Sequence, residues 1–104
     1  MRDLRESCRI AVVQAAPVMF DKAACTVKAV ELIRAAAAEQ AELIVFPELF
    51  IPGYPYGMTF GFTVGARNED GRKDWQLYCD NSIVVPGPET ERLAAAAVSY
   101  THLR

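Results

Sequence analysis

The middle of the chain contains the stretch Leu43-Ile44-Val45-Phe46-Pro47-Glu48. Its four apolar residues form an unbroken run rather than an alternating one, which is typical of a parallel strand covered on both faces. Pro47 cannot donate a ladder hydrogen bond and keeps the residue before it extended, so the strand is predicted to end there. The stretch therefore predicts a strand of an α/β sheet, with Glu48 just beyond its carboxyl end.

Two upstream elements complete a strand-helix-strand order. A β-branched run, Ile10-Ala11-Val12-Val13, predicts the first strand. From Asp21, a residue type that caps helices, to Gln40 the apolar residues recur at helical spacing. Because such units nearly always cross over in the right-handed sense, we predict parallel pairing of the two strands and an α/β fold.

Beyond the second strand the sequence predicts a long loop followed by helices. Proline and glycine recur every few residues over 47–65, with aromatic residues between them. Residues 68–80 are predicted to form a short helix, and residues 82–85 an extended segment. A last helix is predicted to begin at Gly87-Pro88-Glu89, because proline at the first helical position lacks a donor that the helix would not use. It should run at least to Ala97.

Length, composition and charge exclude several classes of protein. The chain has 104 residues, of which 52% are hydrophobic and 23% charged, with a formal net charge of -2. No run approaches the roughly 20 apolar residues of a membrane-spanning helix, and no basic block offers a footprint for nucleic acid. We therefore predict a soluble globular protein that binds neither membranes nor nucleic acid. A cytoplasmic location is the default, because the charged start is not a secretory signal.

The cysteines show no pattern of a disulfide framework or of a zinc site. Cys8, Cys25 and Cys79 are widely and irregularly spaced, and the chain has a single histidine, His102. We therefore predict no metal site and assign all three cysteines to structure.

Glu48 is the position of greatest chemical interest. Open α/β sheets bind ligands at the carboxyl ends of their strands, where its carboxylate would emerge. Phe46, Phe50 and Tyr54 are expected to wall this carboxylate and to desolvate it partly, which suits a general base. A surface glutamate that ends a strand in a proline-rich turn is the alternative, and the residues alone leave both open.

Four blocks of the sequence match one known family. In chain order they are Arg9-Ile10-Ala11-Val12-Val13-Gln14-Ala15-Ala16-Pro17, Leu43-Ile44-Val45-Phe46-Pro47-Glu48, Ile51-Pro52-Gly53-Tyr54-Pro55 and Pro86-Gly87-Pro88-Glu89-Thr90. The chain resembles the nitrilase superfamily of carbon-nitrogen hydrolases, and the last two blocks are similar to the nitrilase branch. The resemblance covers residues 9–97. Residues 1–8 would then be a charged N-terminal extension, and residues 98–104 a tail outside the pattern.

The resemblance implies a fold and an activity. The fold is the N-terminal part of an α-β-β-α sandwich. The activity, that of the complete enzyme, is hydrolysis of nitriles to carboxylic acids and ammonia through a Glu-Lys-Cys triad. Glu48 matches the triad's glutamate, the general base. Tyr54 matches a tyrosine that helps to shape the substrate pocket, although packing of the loop is an alternative role for it. No cofactor or metal is implied. The implied partners are a small-molecule nitrile and, for the full-length protein, further copies in a homo-oligomer.

The lysine and the nucleophilic cysteine of the triad have no match in this chain. Cys79 lacks the tryptophan that usually follows the nucleophile, and the tail residue His102 is given no role. Solvated helix surface is predicted for all three lysines, Lys22, Lys28 and Lys73. We therefore expect an enzyme fragment that carries Glu48 alone and is inactive by itself. The alternatives are a non-catalytic α/β module for binding or assembly, and an amidase-branch relative that acts on amides.

Overall fold

The structure is a computed structural model that describes residues 6–56, 58 and 69–101. Five elements follow one another: strand β1 (Ile10–Val12), helix α1 (Lys22–Ala38), strand β2 (Leu43–Val45), helix α2 (Glu69–Asp80) and helix α3 (Pro88–Thr101). This order confirms the predicted strand-helix-strand unit and both downstream helices. Much of the predicted loop lies outside the described residues, as does His102. Within the described part, no helix is long and apolar enough to cross a bilayer.

Strands β1 and β2 pair in parallel, as the sequence predicts. Their register joins Ile10 to Leu43, Ala11 to Ile44 and Val12 to Val45. The N–H of Val13 donates to the carbonyl of Val45 at 2.8 Å, so the pairing extends slightly beyond the strand ends. Among the described residues these two strands form the whole sheet.

Helix α1 is fixed at both ends by local hydrogen bonds. Asp21 is its N-cap, and the Oδ1 atom accepts a hydrogen bond from the N–H of Ala24 at 3.0 Å. At the other end Gln40 has a left-handed conformation, and the N–H of Ala41 donates to the carbonyl of Ala36 at 3.1 Å. This arrangement satisfies carbonyls that the last turn of the helix leaves free. The predicted start at Asp21 is confirmed, whereas the helix ends at Ala38, two residues before the predicted Gln40.

Helix α3 begins at the predicted glycine and proline. The carbonyl of Gly87 accepts the N–H of Glu91 at 2.9 Å, and the N–H of Gly87 donates to the hydroxyl oxygen of Thr90 at 2.9 Å. A side chain on Gly87 would collide with the carbonyl of Val84, so the entry to the helix requires glycine. The preceding residues 82–85, predicted to be extended, pair with neither strand.

The core lies between α1, the turn that follows β2, and α3. It consists of the buried residues Cys25, Ala29, Phe50 and Ile51, with Val18, Leu32, Phe46, Ile83 and Leu93 packed against them. Cys25 and Ala29 are one helical turn apart, so they lie on one face of α1. Their burial against Phe50 and Ile51 connects the helix to the turn that carries Glu48.

One face of the sheet is exposed, although the unbroken apolar run of the second strand is typical of a strand that is covered on both faces. Its four side chains, between 44% and 74% exposed, are Ile10, Val12, Leu43 and Val45. Because paired residues of adjacent strands share a face, the four form one apolar patch, which we call the open sheet face. Such an uncovered apolar face is expected of a two-stranded parallel sheet by itself, and it favours association with another surface.

Candidate active site

The turn after β2 presents Glu48. The strand ends at Val45, and the chain turns through residues 48–52. Leu49, directly after Glu48, has a positive φ of 56°, which is uncommon for leucine. The N–H of Gly53 donates to the carbonyl of Leu49 at 2.8 Å and closes the turn. Glu48 therefore lies just beyond the carboxyl end of β2, at the predicted place.

Glu48 and Tyr54 line the same cavity, which has a volume of about 490 Å³. One wall follows β1 and the other follows β2. The lining residues are Ala15, Ala16, Pro17, Pro47, Glu48, Phe50, Tyr54 and Tyr56. The cavity therefore lies at the carboxyl ends of two adjacent parallel strands, where open α/β sheets bind ligands.

The surroundings of Glu48 differ from the sequence prediction in two ways. Its side chain is exposed, so the expected partial desolvation is not met. Phe50 and Tyr54 line the cavity as expected, but Phe46 does not. The ring of Phe46 packs on that of Phe50 within the core, with 5.2 Å between the ring centroids. Glu48 is exposed because the described residues supply only two walls of the cavity.

Tyr54 both lines the cavity and packs within its own loop. Its ring contacts that of Tyr56, with the centroids 4.8 Å apart and an interplanar angle of 43°. The two roles that the sequence leaves open for Tyr54 are therefore compatible with each other.

The buried thiol of Cys25 connects the two walls of the cavity. It accepts a hydrogen bond from the N–H of Val18, in the segment after β1, at 3.4 Å. It donates one to the carbonyl of Phe50, in the turn after β2, at 3.3 Å. This placement agrees with the structural role predicted for Cys25.

Tyr78 of α2 is buried beneath the same turn. Its hydroxyl donates to the carbonyl of Gly53 at 2.8 Å. Burial raises the pKa of Tyr78, and the nearby Tyr54 and Glu48 raise it further, so the hydroxyl remains a donor at neutral pH. Nothing in the sequence pattern marks Tyr78 as part of the site. The one available signal is that a buried tyrosine hydroxyl requires a hydrogen-bond partner.

The sequence that forms these elements matches a known protein family. The model of the carbon-nitrogen hydrolase family matches residues 9–102. The chain belongs to the carbon-nitrogen hydrolase family. The match includes the turn with Glu48, and it confirms the resemblance on which the roles of Glu48 and Tyr54 were predicted.

Nitrilases are among the curated proteins similar to this carbon-nitrogen hydrolase chain. A bifunctional nitrilase/nitrile hydratase of Nicotiana tabacum is 48% identical over 92 residues, which are 88% of this chain and 26% of the relative. An aliphatic nitrilase of Sinorhizobium fredii is 53% identical over 89 residues, 86% of this chain and 29% of the relative. Nitrilase 3 of Arabidopsis thaliana is 45% identical over 95 residues, 91% of this chain and 28% of the relative.

The chain thus spans 26–29% of the length of these relatives. It corresponds to the N-terminal region of a nitrilase.

The three lysines of this carbon-nitrogen hydrolase chain differ in their surroundings. The Nζ of Lys28 donates to the carbonyl of the cavity residue Ala16 at 2.6 Å, and the Nζ of Lys22 donates to the carbonyl of Ser82 at 3.4 Å. Both side chains are half-buried because these contacts hold α1 to neighbouring loops. The prediction that the lysines lie on a solvated helix surface is therefore correct only for Lys73, which is exposed.

The thiols of Cys8 and Cys79 are exposed, and neither residue lines the cavity of Glu48. Within residues 6–56, 58 and 69–101, no three His, Cys, Asp or Glu side chains are placed to hold a metal ion. The described part of the cavity thus offers one carboxylate and no thiol.

Proposed function

We propose that this chain is the glutamate-bearing part of an enzyme that hydrolyses nitriles to carboxylic acids and ammonia. Glu48 acts as the general base, and Tyr54 helps to shape the substrate pocket. The observation that carries the proposal is the position of Glu48 at a cavity between the carboxyl ends of two parallel strands. It lies in a chain that is 45–53% identical to nitrilases.

The reaction needs a thiol and a cation, which the complete protein supplies from outside this chain. The carboxylate of Glu48 accepts the proton of the thiol while the sulfur attacks the nitrile carbon. The proton then passes to the nitrile nitrogen, so a neutral covalent thioimidate forms and Glu48 is again a carboxylate. Water adds to the thioimidate carbon, ammonia leaves and a thioester remains. A second water loses a proton to Glu48 and adds to the thioester carbon. The C–S bond then breaks, the carboxylic acid leaves, and Glu48 returns the proton to the sulfur. The cation stabilises the charge of the tetrahedral species.

The exposure of Glu48 is compatible with this role because one side of its cavity is open. A general base acts within about 3 Å of the proton that it accepts, so the thiol and the nitrile must approach Glu48 closely. The open side gives them access. The apolar walls formed by Pro17 and Phe50 exclude water from the reacting carbon once the rest of the protein closes the cavity.

The fold proposed for the complete protein is an α-β-β-α sandwich. The open sheet face supports it, because a second sheet can pack on such a face at about 10 Å. A cavity of about 240 Å³ lined by Ile33, Ile44 and Ala97 leaves room beside the sheet for further chain. Assembly of the full-length protein into a homo-oligomer and a cytoplasmic location belong to the same proposal and rest on the resemblance to the family.

A chimera provides the test. Residues 9–102 of this chain replace the matching segment of the aliphatic nitrilase of Sinorhizobium fredii, and the 53% identity of the two makes the exchange conservative. Release of ammonia from an aliphatic nitrile is then measured. The chimera is expected to be active, and a folded chimera without turnover would contradict the proposal.

Two variants of this chimera separate the base from a surface glutamate. Glu48→Gln keeps the shape of the side chain and removes its ability to accept a proton, so turnover is expected to be lost while the circular dichroism stays unchanged. The matched control is Glu39→Gln, because Glu39 is exposed at the C-cap of α1 and lines none of the described cavities. Equal turnover by the two variants would show that Glu48 is not the base.

A further inference from the structure

The backbone directly after Glu48 has a conformation that needs external support. Leu49 lies in the left-handed region at a φ of 56°, which leucine seldom adopts. Such conformations persist only where the surrounding structure fixes them, and they cluster at functional sites. The orientation of Glu48 therefore depends on what holds this turn in place.

Gly53 closes the turn and is restrained by two hydrogen bonds and by the close approach of Met19. Its N–H donates to the carbonyl of Leu49 at 2.8 Å. Its φ is 88°, and a side chain at this position would collide with Met19, so glycine is required. Its carbonyl accepts the hydroxyl hydrogen of Tyr78 at 2.8 Å. Two hydrogen bonds thus connect Tyr78, through Gly53, to the residue that follows Glu48.

Tyr78 reaches this turn from a separate element. It lies on α2, 25 positions after Gly53, and is only 9% exposed. The carbonyl that it binds belongs to the peptide group that joins Gly53 to Tyr54. The same hydrogen bond therefore fixes the backbone from which Tyr54 projects into the cavity. The ring of Tyr78 is buried by packing, whereas only the hydroxyl makes a directional contact.

We propose that Tyr78 is a positioning residue of the candidate active site. Its hydroxyl orients Glu48 and Tyr54 through the carbonyl of Gly53, and it touches neither the substrate nor the reacting atoms. The catalytic consequence rests on the function proposed above. Because a misplacement of about 1 Å can lower a rate on the order of a hundredfold, loss of this hydroxyl slows turnover even when the ring still packs.

Tyr78→Phe in the chimera tests this inference, because it removes the hydroxyl and keeps the ring. A fall of kcat/KM by about tenfold or more per folded molecule is expected, whereas the free energy of unfolding should fall only by the roughly 1 kcal/mol of one buried hydrogen bond. The matched control is Thr26→Val, which removes another buried hydroxyl, one that donates to the carbonyl of Lys22 at 2.7 Å. Thr26 lines none of the described cavities, so kcat/KM is expected to stay within about twofold.

A kcat/KM of Tyr78→Phe within twofold of the chimera would overturn the proposal. A loss that merely follows the unfolded fraction would overturn it as well, because packing alone would then explain the effect. Hydrogen exchange at the amide of Gly53 gives a readout that does not depend on catalysis. In Tyr78→Phe it is expected to be at least about tenfold faster, with the amides of α1 unchanged.

The two proposals can fail separately. If Glu48→Gln remains active, or if the chimera is folded and inactive, the proposed function fails and the exchange rate at Gly53 decides the role of Tyr78. An exchange rate unchanged by Tyr78→Phe would then reject positioning, and a faster rate would support it.

Discussion

The open sheet face leads to a prediction about which of two valines, Val12 or Val27, costs more stability when it is substituted. Val12 on this face is 74% exposed, whereas Val27 on α1 is 43% exposed, so Val12 is the more tolerant position in this chain alone. In the complete protein we propose that a second sheet covers Val12. Burying the remaining three quarters of a valine side chain stabilises a fold by about 1–2 kcal/mol.

Val12→Thr in the chimera replaces a methyl group by a hydroxyl and keeps the shape of the side chain. The lost burial and the unpaired hydroxyl together are expected to lower the free energy of unfolding by about 2 kcal/mol. Val27→Thr is the matched control and is expected to cost less than about 1 kcal/mol, because α1 keeps this side chain partly in solvent. Urea unfolding followed by circular dichroism measures both values.

A cost for Val12→Thr that is no greater than the cost for Val27→Thr would contradict this prediction. The face would then remain in water in the complete protein, and the sandwich proposal would fail.

Three further predictions concern the isolated chain, the N-cap of α1 and Tyr78. The isolated chain is expected to self-associate and to release no ammonia from nitriles. A monomer in sedimentation that also melts cooperatively would contradict the first expectation. Turnover that survives substitution of Cys25 and Cys79 but not Glu48→Gln would contradict the second. Asp21→Ala is expected to lower the free energy of unfolding of the chimera by about 1 kcal/mol, because the N–H of Ala24 loses its acceptor. Urea unfolding should show a smaller cost for Asp21→Asn, which keeps an acceptor oxygen. Equal costs for the two variants would contradict the capping role of Asp21. The raised pKa of Tyr78 means that the folded state holds this proton more tightly, so its stabilising effect is complete below the ordinary pKa of 10.0 and is lost as pH rises through the folded value. Urea unfolding across this range should show the chimera losing more stability than Tyr78→Phe, and equal losses would contradict the burial of the hydroxyl.

The starts of helices α1 and α3 could be predicted from the sequence because their signals are local. Asp21 caps α1 through an N–H three residues away, and Gly87 begins α3 through contacts with the next four residues. The position of Glu48 follows from the apolar run before it and from Pro47, which cannot continue the ladder. These residues specify their conformations without help from distant parts of the chain.

Contacts between distant segments could not be predicted in this way. Tyr78 and Gly53 are 25 residues apart, and no periodicity indicates that their elements meet. Phe46 turns into the core because its ring packs on Phe50, a choice that sequence spacing does not reveal. The apolar run of β2 does not by itself reveal which of its faces is covered: Leu43 and Val45 are exposed, whereas Ile44 between them is half-buried.

In the proposed function, the carboxylate of Glu48 takes protons while the nitrile is hydrolysed. The most direct measurement is kcat for ammonia release by the Glu48→Gln chimera, divided by that of the Glu39→Gln chimera at equal folded concentration. A general base contributes roughly 10²–10⁴-fold to a rate, so this ratio is expected to lie below about one hundredth. A ratio near one would contradict the claim.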